Sequence, residues 1–352
     1  MMVHKLAFIG FGVVGQGLAE ILHHKKEALK RDENFEAQIV AISDFMKGSI
    51  YQPEGLDIEL VLKTLKETGN LEDYPKTTGL IKGWDSITTI CESNADTIIE
   101  VSYTDVKTGQ PAINHCKSAF EHGKNVVMTN KGPVALAYKE LSEIAEQHGV
   151  SWGFEGTVMS GTPALRMPIA TLAGNDITEI RGILNGTTNY ILTKMENERV
   201  TYEEALAEAQ ALGYAEADPT SDVEGYDARY KIVILSNYVM KAPLTVEEVS
   251  CTGISSITAQ DIEEAKKESK RWKLIATARK EQTGVVASIA LEKVDLDDPL
   301  AAISGATNAI TYETDLLGSV TLSGAGAGKV ETGFSLLIDL ITIARQKQTI
   351  KL

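Results

Sequence analysis

Short apolar runs alternate with polar stretches along the first 155 or so residues, and the spacing inside each run predicts its element. "KLAFIGFGVVGQGLAEILHHKKEAL" reads as a strand, a tight glycine turn and an amphipathic helix. "AQIVAISD" is a second strand ending on Asp44, and "ADTIIEVS" a third. Between them residues 48–82 are polar and mixed, with one helix at "LDIELVLKTLKET". "GQPAINHCKSAFEHG" is an amphipathic helix closed by Gly123, "KNVVMTN" a strand, "AYKELSEIAEQHG" a helix and "VSWGFEG" again strand-like. Alternating strands and helices of these lengths predict a doubly wound parallel sheet of the Rossmann type.

Beyond residue 155 the pattern changes. "ITEIRGILNGTTNYILTKM" gives a strand, a polar turn and a helix, and "TYEEALAEAQALG" a Thr-capped helix. A further helix is expected from about Pro219 to Val239, with Asp218 as its cap and Pro219 in its first turn. "VVASIALEKV", "AITYET" and "GSVTLSG" are strand-like, and "GAGAGKVETGFSLLIDLITIARQ" is a glycine turn leading into a last helix. The expected organisation is α/β: a dinucleotide-binding domain of residues 1–153 with 326–352, and a second α/β domain of residues 154–325.

Composition narrows the class. The 352 residues are 43% hydrophobic and 24% charged, which fits a folded globular chain. A net charge of −15 repels nucleic acid and anionic membranes, so neither is an expected partner. Cys91, Cys116 and Cys251 show no metal-ligand spacing and are read as reduced thiols. No apolar run reaches 18 residues and no signal-peptide pattern opens the chain. A soluble, cytoplasmic protein is expected.

Gly10, Gly12 and Gly15 form G-x-G-x-x-G between a strand and a helix. The first permits the turn, the second lets backbone approach a pyrophosphate, and the third lets helix pack on strand. A purely structural glycine turn is the alternative. Asp44, ending the second strand, is placed to bond a ribose 2′-hydroxyl and favours NAD, while Lys47 could meet the 2′-phosphate of NADP. Lys131, in "MTNKGPVA", follows a strand end, where ligands of open α/β sheets bind; a surface ion pair is otherwise a lysine's commoner fate, but this position favours a substrate or the nicotinamide end.

"GYAEADPTSDVEGYDARYKIVILS" sets Glu216, Asp218, Asp222, Glu224 and Asp227 ahead of Lys231, and an apolar run follows. An exposed i,i+4 pair of Asp227 and Lys231 would contribute only about 0.3–0.5 kcal/mol. The apolar sequel instead places the lysine at the edge of a core, where an acid neighbour could hold it as a proton donor. Asp222 and Glu216 could receive a ligand's ammonium group. "NGTTN", residues 185–189, offers hydroxyls and N–H groups for a carboxylate or carbonyl. Together these groups describe an amino acid carrying an alcohol or aldehyde.

These segments resemble the homoserine dehydrogenase family: "GFGVVG" at 10–15, "TNK" at 129–131, "ILNGTTNYIL" at 183–192, "GYAEADPTSDVEGYDARYK" at 213–231 and "GAGAGKVETG" at 324–333. The resemblance implies reversible reduction of L-aspartate 4-semialdehyde to L-homoserine with NAD or NADP, in threonine and methionine biosynthesis. It implies an N-terminal Rossmann domain, a catalytic and dimerisation domain, and a homodimer. By it Lys231 is the catalytic lysine, Asp227 its partner acid, and Lys131 stands between substrate and nicotinamide. Glu216, Asp222, Asn185, Gly186 and Thr187 bind substrate. Gly10, Gly12, Val13, Val14, Gly15, Asp44, Ser102 and Gly328 join Lys131 in holding the cofactor. A structural sodium ion is implied on Glu155 and the carbonyls of Val158, Ser160 and Thr162, although Met159 and Ser160 depart from the family's small residues there. The chain ends soon after its last helix, so feedback control through an appended domain is not expected. Two other readings stay open: a related dehydrogenase of another small amino or hydroxy acid, and a cofactor-binding regulator without catalysis.

Overall fold

The computed structural model describes residues 3–349. The chain divides into two compact units, one of residues up to Thr157 together with the chain from Gly328 onward, the other Val158–Ala327.

The first unit is built on seven strands: β1 (Val3–Ile9), β2 (Glu36–Asp44), β3 (Gly48–Tyr51), β4 (Ile81–Lys82), β5 (Thr97–Glu100), β6 (Asn125–Met128) and β7 (Trp152–Gly153). They lie in the order β4-β3-β2-β1-β5-β6-β7. The pairs from β2 through β7 are parallel, as the alternation with helices predicts. The β4 and β3 edge is antiparallel, an addition the mixed polarity of residues 48–82 concealed. The segment around "AYKELSEIAEQHG" is longer than its periodicity suggested: the helix runs Lys131–Gln147, kinked at Ala137. Phe8, Ile42, Ile99 and Val127 fill the core, with Leu336 and Leu340 from the last helix, Lys329–Thr349. That helix packs on Val13–His24 at two glycines. A Cβ on Gly17 would fall 2.5 Å from the Lys329 carbonyl, and one on Gly333 2.9 Å from the Leu18 nitrogen.

The second unit carries a six-stranded mixed sheet: β8 (Ile177–Ile183), β9 (Ser250–Cys251), β10 (Lys270–Glu281), β11 (Gly284–Asp295), β12 (Thr307–Thr314) and β13 (Gly318–Ala325). The order is β13-β12-β8-β10-β11-β9. β10 escaped the pattern reading because "KRWKLIATARKE" is rich in charge, yet it pairs along its whole length with β11. The helix expected from Pro219 to Val239 is broken in two, Thr220–Val223 and Tyr226–Tyr238. Gly225 breaks it, at φ +79° in the left-handed region that glycine enters without strain. Glu224 therefore lies outside the second helix. Asp218 still accepts from the Thr220 N–H at 3.1 Å, one residue away from the cap expected. Among the described residues no helix is long and apolar enough to cross a membrane.

Candidate active site

The first unit concentrates its chemistry at the carboxyl ends of β1, β2, β5 and β6. Gly10 turns at φ +87°, and a Cβ there would fall 2.5 Å from the Val101 carbonyl. Only glycine lets this turn press against the end of β5. Gly12 is the opposite case, with nothing within 4 Å of where its Cβ would point. The open space stands at the start of the helix Val13–His24, whose first N–H groups lack intrahelical partners. Gly15 closes the motif against the Gly10 carbonyl at 3.2 Å. A pyrophosphate fits this cradle: room above Gly12, unpaired donors and the positive end of a helix dipole.

Asp44 is tied to the same turn. Its Oδ2 accepts from the Phe11 N–H at 2.7 Å and lies 3.4 Å from Lys47 Nζ. Its Oδ1 accepts from the Met46 and Lys47 N–H groups, both at 3.0 Å. Burial pushes its pKa up, but the backbone bonds and Lys47 outweigh that and hold it below the usual carboxylate range. A cavity of about 680 Å³ opens beside it, lined by Gly10, Gly12, Asp44, Trp84, Ser102 and His115, among others. Lys131 begins the helix Lys131–Gln147 directly after β6, and Gly328 precedes the last helix at φ +140°. Val13 and Val14 open the helix after the glycine turn.

The second unit gathers four of its expected residues into one network. Asn185 caps the helix Gly186–Glu198, its Oδ1 accepting from the Thr188 N–H at 2.9 Å. Its Nδ2 donates to Asp222 Oδ1 at 2.7 Å and to Asp227 Oδ2 at 3.0 Å. Lys231 Nζ donates to the same Asp227 oxygen at 2.6 Å and to the Leu184 carbonyl at 2.6 Å. Lys231 is buried, at 7% exposure, so this is not a solvated surface pair. Burial first, and then the charge of Asp227, raises the Asp222 carboxyl above its usual range. Two acids bridged by one amide thus sit beside one buried amine.

The helix Gly186–Glu198 begins at Gly186, so the polar "NGTTN" turn is the helix's own first turn. Gly186 is held close, since a Cβ there would fall 2.7 Å from the Ala306 carbonyl. The Thr187 and Thr188 hydroxyls donate to the backbone carbonyls of Tyr214 and Asn185, at 2.7 and 3.1 Å. The N–H groups of Gly186 and Thr187 make no hydrogen bond among the described residues. The donors available to a carboxylate here are therefore backbone, not hydroxyl. Glu216 stands apart on an exposed loop, with no hydrogen bond joining it to the Asp222 and Asp227 pair. One residue that sequence reasoning missed is Lys273 on β10. Its amine is buried, pushed down to about 8 by that burial, and donates to Asn189 Oδ1 at 3.0 Å, which pins the helix Gly186–Glu198 to the sheet. An isolated lysine in a charged strand carries no sequence signal for this.

At the implied ion residues, Glu155 is buried and its N–H donates to Asp339 Oδ2 at 2.9 Å. Met159 and Ser160 are both left-handed, at φ +57° and +53°, which turns the backbone sharply. Glu155 belongs to the first unit and Val158, Ser160 and Thr162 to the second; a carboxylate and backbone carbonyls are the kind of hard oxygen ligands an alkali cation takes. Among the described residues no group of three or more His, Cys, Asp or Glu side chains could hold a metal ion.

Comparison with known proteins converges on one family. A homoserine dehydrogenase family model matches residues 163–341, and a glutamate/leucine/phenylalanine/valine dehydrogenase model matches residues 3–103. The chain is 44% identical over 344 residues to an NAD(+)-dependent homoserine dehydrogenase of Pseudomonas canavaninivorans, covering 97% of each. It superposes with a TM-score of 0.86 on a structure from Archaeoglobus fulgidus described as a homoserine dehydrogenase, at 37% identity over 97% of this chain and 99% of that one. A hyperthermophilic archaeal homoserine dehydrogenase in complex with NADPH matches at a TM-score of 0.82 and 30% identity, over 98% of both chains. With the glycine cradle in one unit and the buried lysine and its acids in the other, the chain belongs to the homoserine dehydrogenase family.

Proposed function

We propose that the chain interconverts L-homoserine and L-aspartate 4-semialdehyde, using a nicotinamide dinucleotide. The observation that carries the mechanism is Lys231, buried and held at 2.6 Å by both the Leu184 carbonyl and Asp227. A nicotinamide cofactor, when bound, supplies or accepts the hydride. Lys231 holds a proton at Nζ and gives it to the substrate oxygen in the reducing direction, or takes one in the oxidising direction. Asp227 keeps the ammonium in position. Asp222 and Glu216 attract the substrate's ammonium group, and the free N–H groups of Gly186 and Thr187 receive its carboxylate. The cradle of Gly10, Gly12 and Gly15, continued by Val13 and Val14, holds the pyrophosphate, with Ser102, Lys131 and Gly328 as further cofactor positions.

The finer reading is a preference for NAD. Asp44 is fixed as a carboxylate by backbone donors at the end of β2, where it can accept from a ribose hydroxyl but repels a 2′-phosphate. Lys47 is already paired with it. The reading also includes a sodium ion on Glu155 and the carbonyls of Val158, Ser160 and Thr162, and a homodimer. Absorbance at 340 nm with homoserine and each cofactor tests the proposal. Turnover with homoserine, faster with NAD, is expected; none with either cofactor would leave a binding protein without catalysis. Replacing sodium by a bulky organic cation should lower thermal stability, and sedimentation should return the mass of two chains.

A further inference from the structure

Asn130 occupies the N-cap of the helix Lys131–Gln147 but does not cap it: its side chain accepts no N–H of the first turn. Asn185 shows the ordinary behaviour in the same chain, bonding the Thr188 N–H at 2.9 Å. The difference lies in what faces each amide. Asn130 Nδ2 donates to Glu100 Oε2 and, at 2.9 Å, to the Ser102 carbonyl. Glu100 is fully buried at the end of β5. Besides Asn130, it accepts from the Ser102 hydroxyl and, at 3.1 Å, from His115 Nδ1. His115 Nε2 in turn lies 2.9 Å from the Ser86 hydroxyl. A carboxylate offers acceptors only, so every group around it must present a donor. The amide of Asn130 therefore has one allowed orientation: Nδ2 toward Glu100, Oδ1 away from it.

We propose that Glu100 is a positioning residue for the cofactor, fixing Asn130 so that its Oδ1 serves as an acceptor for a donor on the nicotinamide half of the dinucleotide. The proposal rests on the reading of this unit as dinucleotide-binding. Asn130 stands at the carboxyl end of β6, where ligands of open α/β sheets bind. Ser102, Ser86 and His115 of the same network all line the cavity beside the glycine cradle. The uncapped helix is the second sign: no N–H of its first turn takes up the Asn130 oxygen. Two groups on that half of the cofactor donate hydrogen bonds, the ribose hydroxyls and the carboxamide N–H, and either meets the same acceptor.

The test is a double-mutant cycle. Glu100→Gln keeps the shape but brings its own N–H₂ into the ring of donors, which loosens the hold on Asn130 and leaves the Ser102 carbonyl as the surer acceptor for its Nδ2. Asn130→Ala should raise the cofactor KM about tenfold, the cost of one lost hydrogen bond, and Glu100→Gln should raise it by a smaller factor, both with the homoserine KM unchanged. Because both act through one oxygen, the double variant should be no worse than the more impaired single one. Multiplying effects, or an unchanged cofactor KM in Asn130→Ala, would overturn the proposal. If Glu100→Gln does not fold, Asn130→Ala alone decides, since it leaves Glu100 its other two donors. A dinucleotide with acetylpyridine in place of nicotinamide lacks the carboxamide N–H. The Asn130→Ala penalty vanishes with it if the carboxamide is the donor, and persists if the ribose is. Cofactor titration followed by tryptophan fluorescence needs no substrate, so a chain that fails to oxidise homoserine would refute the dehydrogenase reading without touching this one.

Discussion

Replacing Lys231 by methionine removes the amine while keeping most of the stem's packing. Nζ makes two hydrogen bonds of 2.6 Å, to Leu184 O and Asp227 Oδ2, at a site only 7% exposed. Two costs follow and are separable. The first is structural: the Leu184 carbonyl loses a donor, and Asp227 loses the ammonium while keeping its bond from Asn185. That costs about 3 kcal/mol, less than the full loss of a buried pair because Asn185 still donates. In a unit of this size it lowers the melting temperature by roughly 6–12 °C. The second is chemical. A positioned proton donor contributes about 10²–10⁴-fold to rate, or roughly 3–5 kcal/mol on the barrier. Initial rates of homoserine oxidation well below the melting temperature should show kcat reduced by that factor. Cofactor affinity by fluorescence titration should stay within about threefold, since the cradle is built from other residues. A variant that melts early yet keeps more than a tenth of its kcat would make Lys231 a structural lysine, and the proton-transfer assignment would fail.

Three further outcomes follow from the geometry. Gly12→Val fills the open space above the glycine turn, so the fold should survive while the cofactor KM rises about tenfold or more; unchanged cofactor kinetics would put the phosphates elsewhere. Asp44→Ser removes the charge at the end of β2, and the ratio of kcat/KM for NAD over NADP should fall about 10–100-fold; an unmoved ratio would deny Asp44 any part in the preference. Asp222 is raised by burial and by Asp227, so the folded chain binds that proton more tightly than the unfolded one. Its contribution to stability therefore falls as pH rises from about 3.9 through the raised folded value. Asp222→Asn should remove that part of the slope and melt higher than the parent at pH 7, with a weakened homoserine KM. Parallel pH–stability curves for the two proteins would contradict it.

Patterns set by neighbours a few residues apart were legible in the chain itself. The period of apolar residues gave the parallel strands of the first sheet, though not its β3 and β4 edge, and the glycine spacing gave the turn between β1 and its helix, because both depend on local backbone geometry. The i,i+4 spacing of Asp227 and Lys231 was enough to pair them, and the apolar run after them was enough to bury the lysine. Gly225 was in plain view but read as part of one helix, since a single glycine inside a helical pattern is usually tolerated.

What only the tertiary structure decided is the pairing of polar groups far apart in sequence. Asn185 meets Asp222 and Asp227 across some forty residues, and Lys273 meets Asn189 across more than eighty. Asp44 reaches back to Phe11, and Glu100 gathers His115 and Asn130. None of these bonds has a periodicity to announce it. They form because burial leaves each donor and acceptor no water to turn to, and which partner it finds is fixed by how strands and helices stack rather than by the order of residues along the chain.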